Sequence, residues 1–292
     1  MANRRVLVKR RRATQNIRKI TRTMQLIATA RFQTAFKRAV GGRPYTEKLT
    51  ELADRLASAA TEVEHPLMRT PEAAEPELLV VLTSNRGLCG GFNAHVLRTA
   101  GGHLKKLESQ GRQSELIVIG KKGNAYLQFH GYSVDEAITD ISDLPRYDEV
   151  EPIASRLMDR FVRGEIGSVS VAYMKFISTS RQRAVVDQVL PLQSEVGESE
   201  PREGTSNVEY EYSPEPEKLL ADLLPATVKI HFYQCFSDAS VSEQVARMVA
   251  MKAATDAAED MIKRLTQQYN RARQTAITME LLDIVGGASA LE

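Results

Sequence analysis

The chain has 292 residues, of which 39 are basic and 37 acidic, giving a formal net charge of +2, and 42% are hydrophobic. These proportions exclude a disordered chain, and because no run of about 18 apolar residues occurs they also argue against a membrane-spanning helix. The two cysteines, Cys89 and Cys235, match neither a disulfide framework nor a zinc-ligand spacing, which favours a reducing compartment.

The charge is unevenly distributed along the chain. Residues 1–46 contain thirteen basic and no acidic side chains, so the remaining 246 residues carry 26 basic and 37 acidic ones, a net charge of −11. A basic arm of this kind has three interpretations: a solvated helix face, a surface for nucleic acid or lipid phosphate, and a surface for an acidic protein partner. Residues 1–31 contain no aromatic side chain on which bases could stack, so the sequence does not support single-strand binding.

The first segment is predicted to be a long helix that ends near His65. Its apolar residues follow a heptad spacing, which predicts a coiled-coil seam made of Ala13, Ile17, Ile20, Met24 and Ile27. Gly41, Gly42 and Pro44 interrupt the pattern, and a break or kink is predicted near residue 42.

The middle of the chain alternates short apolar runs with helical segments. Strands are predicted at 78–82, 116–119, 169–176 and 184–189, and helices at 93–109, 121–129 and 150–162. This alternation predicts an α/β unit with a mainly parallel sheet, and the last two strands are close enough in sequence for an antiparallel hairpin. A Glu-rich loop at 193–213 follows.

The last segment is predicted to be a second heptad helix. The predicted seam consists of Val241, Val245, Met248, Ala258, Ile262, Leu265, Tyr269, Ala272, Ala276 and Met279. Two long helices at opposite ends of one chain can cover each other's apolar stripes as an antiparallel coiled coil. The predicted organisation is therefore an N-terminal helix (1–66), a central α/β domain (67–213) and a C-terminal helix (214–292).

Motifs for bond chemistry are scarce. The loop 83–93 lies between a strand and a helix but fits neither common phosphate-loop template. It is interpreted as a tight turn or a partner-facing loop, with a small-ligand site at Gly87–Phe92 as a further alternative. The five histidines show no metal-binding spacing, and Cys89 has no identifiable base beside it. The sequence predicts no catalytic residue, no metal and no cofactor.

Several runs resemble the gamma subunits of F-type ATP synthases. The most specific is ITMELLDIVGGASA at 277–290, and SEQVARM (242–248), MKAATD (251–256), RGLCGGFN (86–93) and KITRTM (19–24) also fit. The resemblance implies an antiparallel coiled coil of the terminal helices, a central Rossmann-like α/β domain, and a final helix that begins soon after Pro225. It implies a non-catalytic rotor shaft that couples ion-driven rotation to ATP synthesis or hydrolysis.

The resemblance also implies partners and contact residues. The partners would be a ring of alpha and beta subunits, the epsilon subunit and a membrane rotor ring of c subunits, at the cytoplasmic face of a bacterial membrane that the chain meets only indirectly. Met24 and Arg247 would lie near a beta lever, and Arg273 and Gln274 near a beta catch loop. Arg247 would also hydrogen-bond with Gln274, Thr278, Glu280 or Asp283, and Arg86 and Cys89 would belong to a loop facing the beta subunits. The alternative function is a basic coiled-coil protein that binds nucleic acid.

Overall fold

Two long helices form the ends of the described chain. The computed structural model describes residues 4–59, 65–69, 75–192 and 216–289, and helix α1 spans Arg4–Ala59. A break near residue 42 is wrong, because α1 continues through Gly41, Gly42 and Pro44; the alternative, a kink there, stays a prediction. A proline costs about 3 kcal/mol inside a helix, and this local cost does not end a helix that has many turns on both sides.

The C-terminal helix begins before Pro225. Helix α5 spans Pro216–Ser289 and contains Pro225, so the predicted start after Pro225 is wrong. Pro216 occupies the first helical position, where an N–H group has no partner within the helix and its loss is harmless. The acidic loop predicted at 193–213 lies outside the described residues.

A five-stranded sheet forms the centre of the chain. Its strands are β1 (Glu77–Leu82), β2 (Ser114–Ile119), β3 (Glu136–Ile138), β4 (Ser168–Phe176) and β5 (Gln182–Leu190). Their order is β3-β2-β1-β4-β5, and β5 is the antiparallel strand. The mainly parallel sheet and the final hairpin are thus confirmed, and β3 is an additional strand.

Helices cover the sheet, which explains the continuous apolar runs of its inner strands. These helices are α2 (Phe92–Ser109), α3 (Lys121–Phe129) and α4 (Tyr147–Val162), together with the part of α5 around Phe232 and Phe236. All six residues of β1 are buried, as expected for a strand covered on both faces.

The chain divides into two compact units. The coiled-coil unit contains Met1–Ala30 and Arg247–Glu292, and the sheet unit contains Arg31–Ala246. Each terminal helix therefore supplies residues to both units.

Candidate functional site

The two chain ends pair in antiparallel orientation within the coiled-coil unit. Contacts advance along α1 as they recede along α5: Arg11 over the ring of Tyr269 (5.4 Å), Thr14 Oγ1 to Met261 Sδ (3.7 Å), Arg18 Nη1 to Glu259 Oε1 (3.7 Å) and Thr21 Oγ1 to Thr255 Oγ1 (2.8 Å). This order confirms the predicted antiparallel coiled coil.

The buried stripe of α1 differs from the predicted seam. Its buried positions recur every seven residues at Leu7, Thr14, Thr21 and Ala28. Most of the predicted seam is exposed (Ala13, Ile17, Ile20 and Ile27), and Met24 is half-buried. The prediction of that register is wrong because it followed side-chain size, whereas three of the four buried positions are the small residues threonine and alanine, which allow close helix approach.

The isoleucines form an exposed apolar stripe on α1. Ile17, Ile20 and Ile27 expose 53%, 59% and 49% of their surface. Contiguous exposed apolar surface marks an interaction site in many soluble proteins. The coiled-coil unit thus has one face used for internal pairing and another, apolar face that the chain itself leaves uncovered.

The seam of α5 follows the prediction up to Ala272 and then ends. Ala258 and Leu265 are buried, and Ile262, Tyr269 and Ala272 are half-buried. Ala276 and Met279, which were predicted to continue the seam, are exposed instead. Every residue from Arg273 to Gly286 is exposed, including five of the predicted contact residues: Arg273, Gln274, Thr278, Glu280 and Asp283.

Arg247 cannot bond to that exposed segment. It is buried, with 7% of its surface exposed, and it lies 27 residues before Gln274 on the same continuous helix. At about 1.5 Å per residue the two are roughly 40 Å apart. The predicted hydrogen bonds from Arg247 to Gln274, Thr278, Glu280 or Asp283 are therefore wrong within one chain.

The loop after β1 is closed by its own polar groups. Asn93 accepts the N–H of Ser84 at 3.0 Å and donates to Ser84 Oγ at 2.8 Å and to Cys89 Sγ at 3.3 Å. Cys89 is 2% exposed, whereas Leu88 is 62% exposed and Arg86 is also exposed. The buried cysteine fixes the shape of the loop, and Arg86 and Leu88 form its outer surface.

Part of the ligand crevice common in α/β folds is filled in this chain. Such crevices open beyond the carboxyl ends of parallel strands. Here Phe236, Ala239 and Glu243 of α5 cover the ends of β1 and β2, leaving a cavity of about 50 Å³. Small-molecule sites usually measure about 300–1,000 Å³, so this cavity is too small for a nucleotide, whereas a second, more open cavity of about 540 Å³ lies at the same edge of the sheet, beside Asn85, Arg86 and Lys121.

The described residues also contain no candidate metal centre or membrane span. Within residues 4–59, 65–69, 75–192 and 216–289, no group of three His, Cys, Asp or Glu side chains could hold a metal ion. No helix in these ranges is long and apolar enough to cross a membrane. The fold therefore defines a class of protein in which two paired end helices accompany a mainly parallel α/β sheet.

Comparisons with known proteins identify that class. Residues 3–291 match a family model described as ATP synthase. The ATP synthase gamma chain of Rhodopirellula baltica is 47% identical over 295 residues, covering all of both chains. The solved Euglena gracilis mitochondrial ATP synthase rotor has a chain of similar fold, with a TM-score of 0.63, 16% identity and coverage of 94% of this chain and 98% of that one. A chain in the Euglena OSCP/F1/c-ring structure gives a TM-score of 0.64 at 15% identity, covering 99% and 94%.

The chain belongs to the family of ATP synthase gamma chains. This membership does not favour the alternative of a nucleic-acid-binding protein. It confirms the resemblance that the terminal and loop motifs indicated.

Proposed function

We propose that the chain is the rotating central-stalk subunit of an ATP synthase, which couples ion-driven rotation to conformational change in catalytic subunits. The observation that supports this most is the surface of the coiled-coil unit. Its polar faces and its stripe of exposed isoleucines point in different directions, so a surrounding partner would meet different side chains as the unit turned.

Such asymmetry is what rotary coupling requires. A partner shifts between conformations only if the two conformations bind the shaft with different free energies. Moving a two-state equilibrium from 1:99 to 99:1 takes about 5.5 kcal/mol of difference. An apolar stripe several residues long offers contacts of that order when it is buried, because each fully buried aliphatic side chain contributes roughly 1.5–3 kcal/mol.

The proposed partners are other subunits of the same complex. The coiled-coil unit would turn inside a ring of alpha and beta subunits, and the sheet unit would bind the epsilon subunit and the membrane rotor ring of c subunits. The excess of basic residues in 1–46 suits an acidic protein surface, since charge complementarity sets orientation and encounter rate. The location that follows is the cytoplasmic face of a bacterial cell membrane.

The contact residues are assigned by their exposure. Arg273, Gln274, Thr278, Glu280 and Asp283 lie on the exposed end of α5 and would face the ring directly. Met24 is half-buried and would contribute its outer edge, and Arg86 would contact a beta subunit from the loop that Cys89 supports. Arg247 is buried, so its role would be to set the shape of the helix surface near a beta lever.

We assign the synthesis and hydrolysis of ATP to the partner subunits. The cavity that α5 leaves over the ends of β1 and β2 is smaller than a nucleotide site, and the proposed role needs no catalytic group on this chain. Co-expression with alpha and beta subunits from the same genome tests the proposal directly. We expect a stable complex with ATPase activity that depends on this chain; a chain that stays monomeric and leaves activity unchanged would contradict it.

A further inference from the structure

The segment between β3 and α4, residues 139–146, contacts both terminal helices within the sheet unit. We call it the strap. On α1, Arg31 Nη1 lies 2.6 Å from Asp143 Oδ2, and Arg38 Nη1 donates to the carbonyl oxygen of Leu144 at 3.3 Å. Two arginines two turns apart on α1 therefore point to the same short segment.

The same strap binds α5 from its other side. Ser240 Oγ donates to the carbonyl oxygen of Asp143 at 2.8 Å, and the hydroxyl of Tyr233 donates to the carbonyl of Pro145 at 3.4 Å. The rings of Tyr147 and Tyr233 meet edge to face at 5.6 Å. Asp143 thus contacts α1 through its side chain and α5 through its backbone.

The strap is in turn held by the sheet. Asn85 Nδ2, beyond the end of β1, donates to the carbonyl oxygen of Ile141 at 3.0 Å. The Oδ1 atom of Asn85 accepts the N–H of Lys121, the first residue of α3, at 3.2 Å. A continuous set of polar contacts therefore connects the sheet, the strap and both terminal helices.

The apolar contacts beside the strap do not fix the rotation of the helices as its polar contacts do. Leu144 packs against a small cluster in which Ala35 and Ala39 of α1 meet Phe176, Val241 and Val245. Phe32 also packs against this cluster, and the ring of Phe36 meets that of Phe176 edge to face at 5.8 Å. Apolar burial is non-directional, so these contacts resist separation of the helix more than they set its rotation. A charge-assisted hydrogen bond is short and directional, and it fixes the helix against rotation.

We propose that Asp143 is a positioning residue that fixes both terminal helices to the sheet against rotation, so that torque passes between the sheet unit and the helices. This inference rests on the proposed rotor function. A rotor whose helices turn relative to its sheet would hydrolyse ATP without moving the corresponding number of ions. The property that Asp143 governs is therefore the coupling ratio.

The experiment uses the assembled complex in sealed membrane vesicles, with the chain carrying Asp143→Asn. ATP hydrolysis and the ATP-driven membrane potential, followed with a potential-sensitive dye, are measured on the same vesicles. We expect the potential generated per ATP hydrolysed to fall at least twofold while the amount of assembled complex stays unchanged. The matched control is Glu136→Gln, which removes a carboxylate that pairs with Arg156 at 2.9 Å and involves no strap residue.

Further variants separate positioning from general damage. Arg31→Gln breaks the same ion pair from the helix side and should give the same fall, and the charge swap Arg31→Asp with Asp143→Arg should restore at least half of it. A coupling ratio equal to that of the wild type in both Asp143→Asn and Arg31→Gln would overturn the inference. Failure of the proposed function would look different, because the wild-type chain itself would then support no ATP-driven potential.

A measurement on the isolated full chain keeps the inference testable if a variant assembles poorly. Backbone hydrogen exchange in residues 31–39 of α1 reports how firmly that helix is held. Asp143→Asn should increase exchange there severalfold and leave α4 unchanged. Unchanged exchange in residues 31–39 would overturn the anchoring role independently of any activity.

Discussion

The hydroxyl oxygens of Thr21 and Thr255 lie 2.8 Å apart at the buried seam of the coiled-coil unit. Each is also close to a carbonyl of its own helix, Arg18 O at 3.1 Å and Met251 O at 2.8 Å. Both hydroxyls therefore remain hydrogen-bonded although they are buried. A polar pair at one seam position favours this register, because most slips of one helix would place a hydroxyl against an apolar neighbour.

The first prediction concerns this pair. Thr21→Val and Thr255→Val should each lower the free energy of unfolding by about 1 kcal/mol, since each removes one buried hydrogen bond. The double variant should lose less than the sum of the two, because neither partner is then left unsatisfied. Urea denaturation followed by circular dichroism measures the three values. Thr23→Val, at an exposed position on the same helix, is the control, and strictly additive losses would show that the hydroxyls do not interact.

The second prediction concerns the exposed stripe of α1. Ile17→Ser and Ile20→Ser should change the stability of the isolated chain by no more than about 0.5 kcal/mol, as is usual at surface positions. Both should weaken co-purification with alpha and beta subunits if the stripe is a partner surface. Asn16→Ser, at an exposed neighbouring position, should leave co-purification unchanged. Normal assembly of the Ile17→Ser, Ile20→Ser double variant would remove the stripe from the interface.

The third prediction compares two glycines that both have positive φ. Gly120 (φ +102°) lies so close to Thr83 that an added Cβ would sit 2.2 Å from its carbonyl oxygen, whereas Gly111 (φ +69°) has open space around it. Gly111→Ala should cost about 1 kcal/mol from backbone strain alone. Gly120→Ala adds a clash with backbone at the junction of β1 and β2, and should cost about 3 kcal/mol or more. Thermal unfolding of both variants tests the difference, and equal losses would contradict the role of the close approach.

The fourth prediction concerns acid sensitivity. Burial lowers the pKa of His231, with Lys175 acting in the same direction and Asp187 against it. Burial also lowers the pKa of His65, whose Nδ1 accepts the N–H of Leu67. Both histidines titrate near 6.5 in the unfolded chain. As the pH falls through that value, the unfolded chain therefore binds more protons than the folded chain, and the free energy of unfolding decreases.

The measurement is the melting temperature at pH 7.5 and pH 5.5. The wild type should melt at a lower temperature at pH 5.5, and His231→Gln should show a smaller drop because its side chain cannot take up a proton. His95→Gln, at an exposed position, should retain the wild-type drop. A drop of wild-type size in His231→Gln would show that this histidine does not contribute.

The sequence predicted the sheet well because its strands are runs of apolar residues. Leu78 to Leu82 is entirely buried, and such a run has few alternatives to a covered strand. Strand β3 was missed because Glu136–Ile138 has three residues and its burial comes from parallel pairing with β2. That pairing is a tertiary contact that leaves no periodic pattern in a segment so short.

The candidate surface was predicted less well, for a physical reason. Isoleucine at heptad spacing predicts a buried seam, but in α1 the chain buries threonine and alanine and leaves Ile17 and Ile20 outside. The sequence of α1 contains two stripes, one that pairs within the chain and one that stays uncovered. A prediction based on hydrophobicity alone assigns the stripe with the larger side chains to the buried seam. The strap was not predicted because its contacts join residues such as Arg31 and Asp143 that are distant in sequence.

The exposed end of α5 differs in kind from the paired part of the same helix. From Arg273 to Gly286 every residue is exposed, and the apolar residues of this segment, among them Ile277, Leu281, Leu282 and Ile284, are spread around most of the circumference. An enclosing partner would meet apolar side chains among the polar ones there at most orientations, whereas one side of the paired part is occupied by the other helix. One helix thus combines an unpaired end, whose contacts with a partner would depend little on the angle of rotation, with a paired middle, whose contacts would change with that angle.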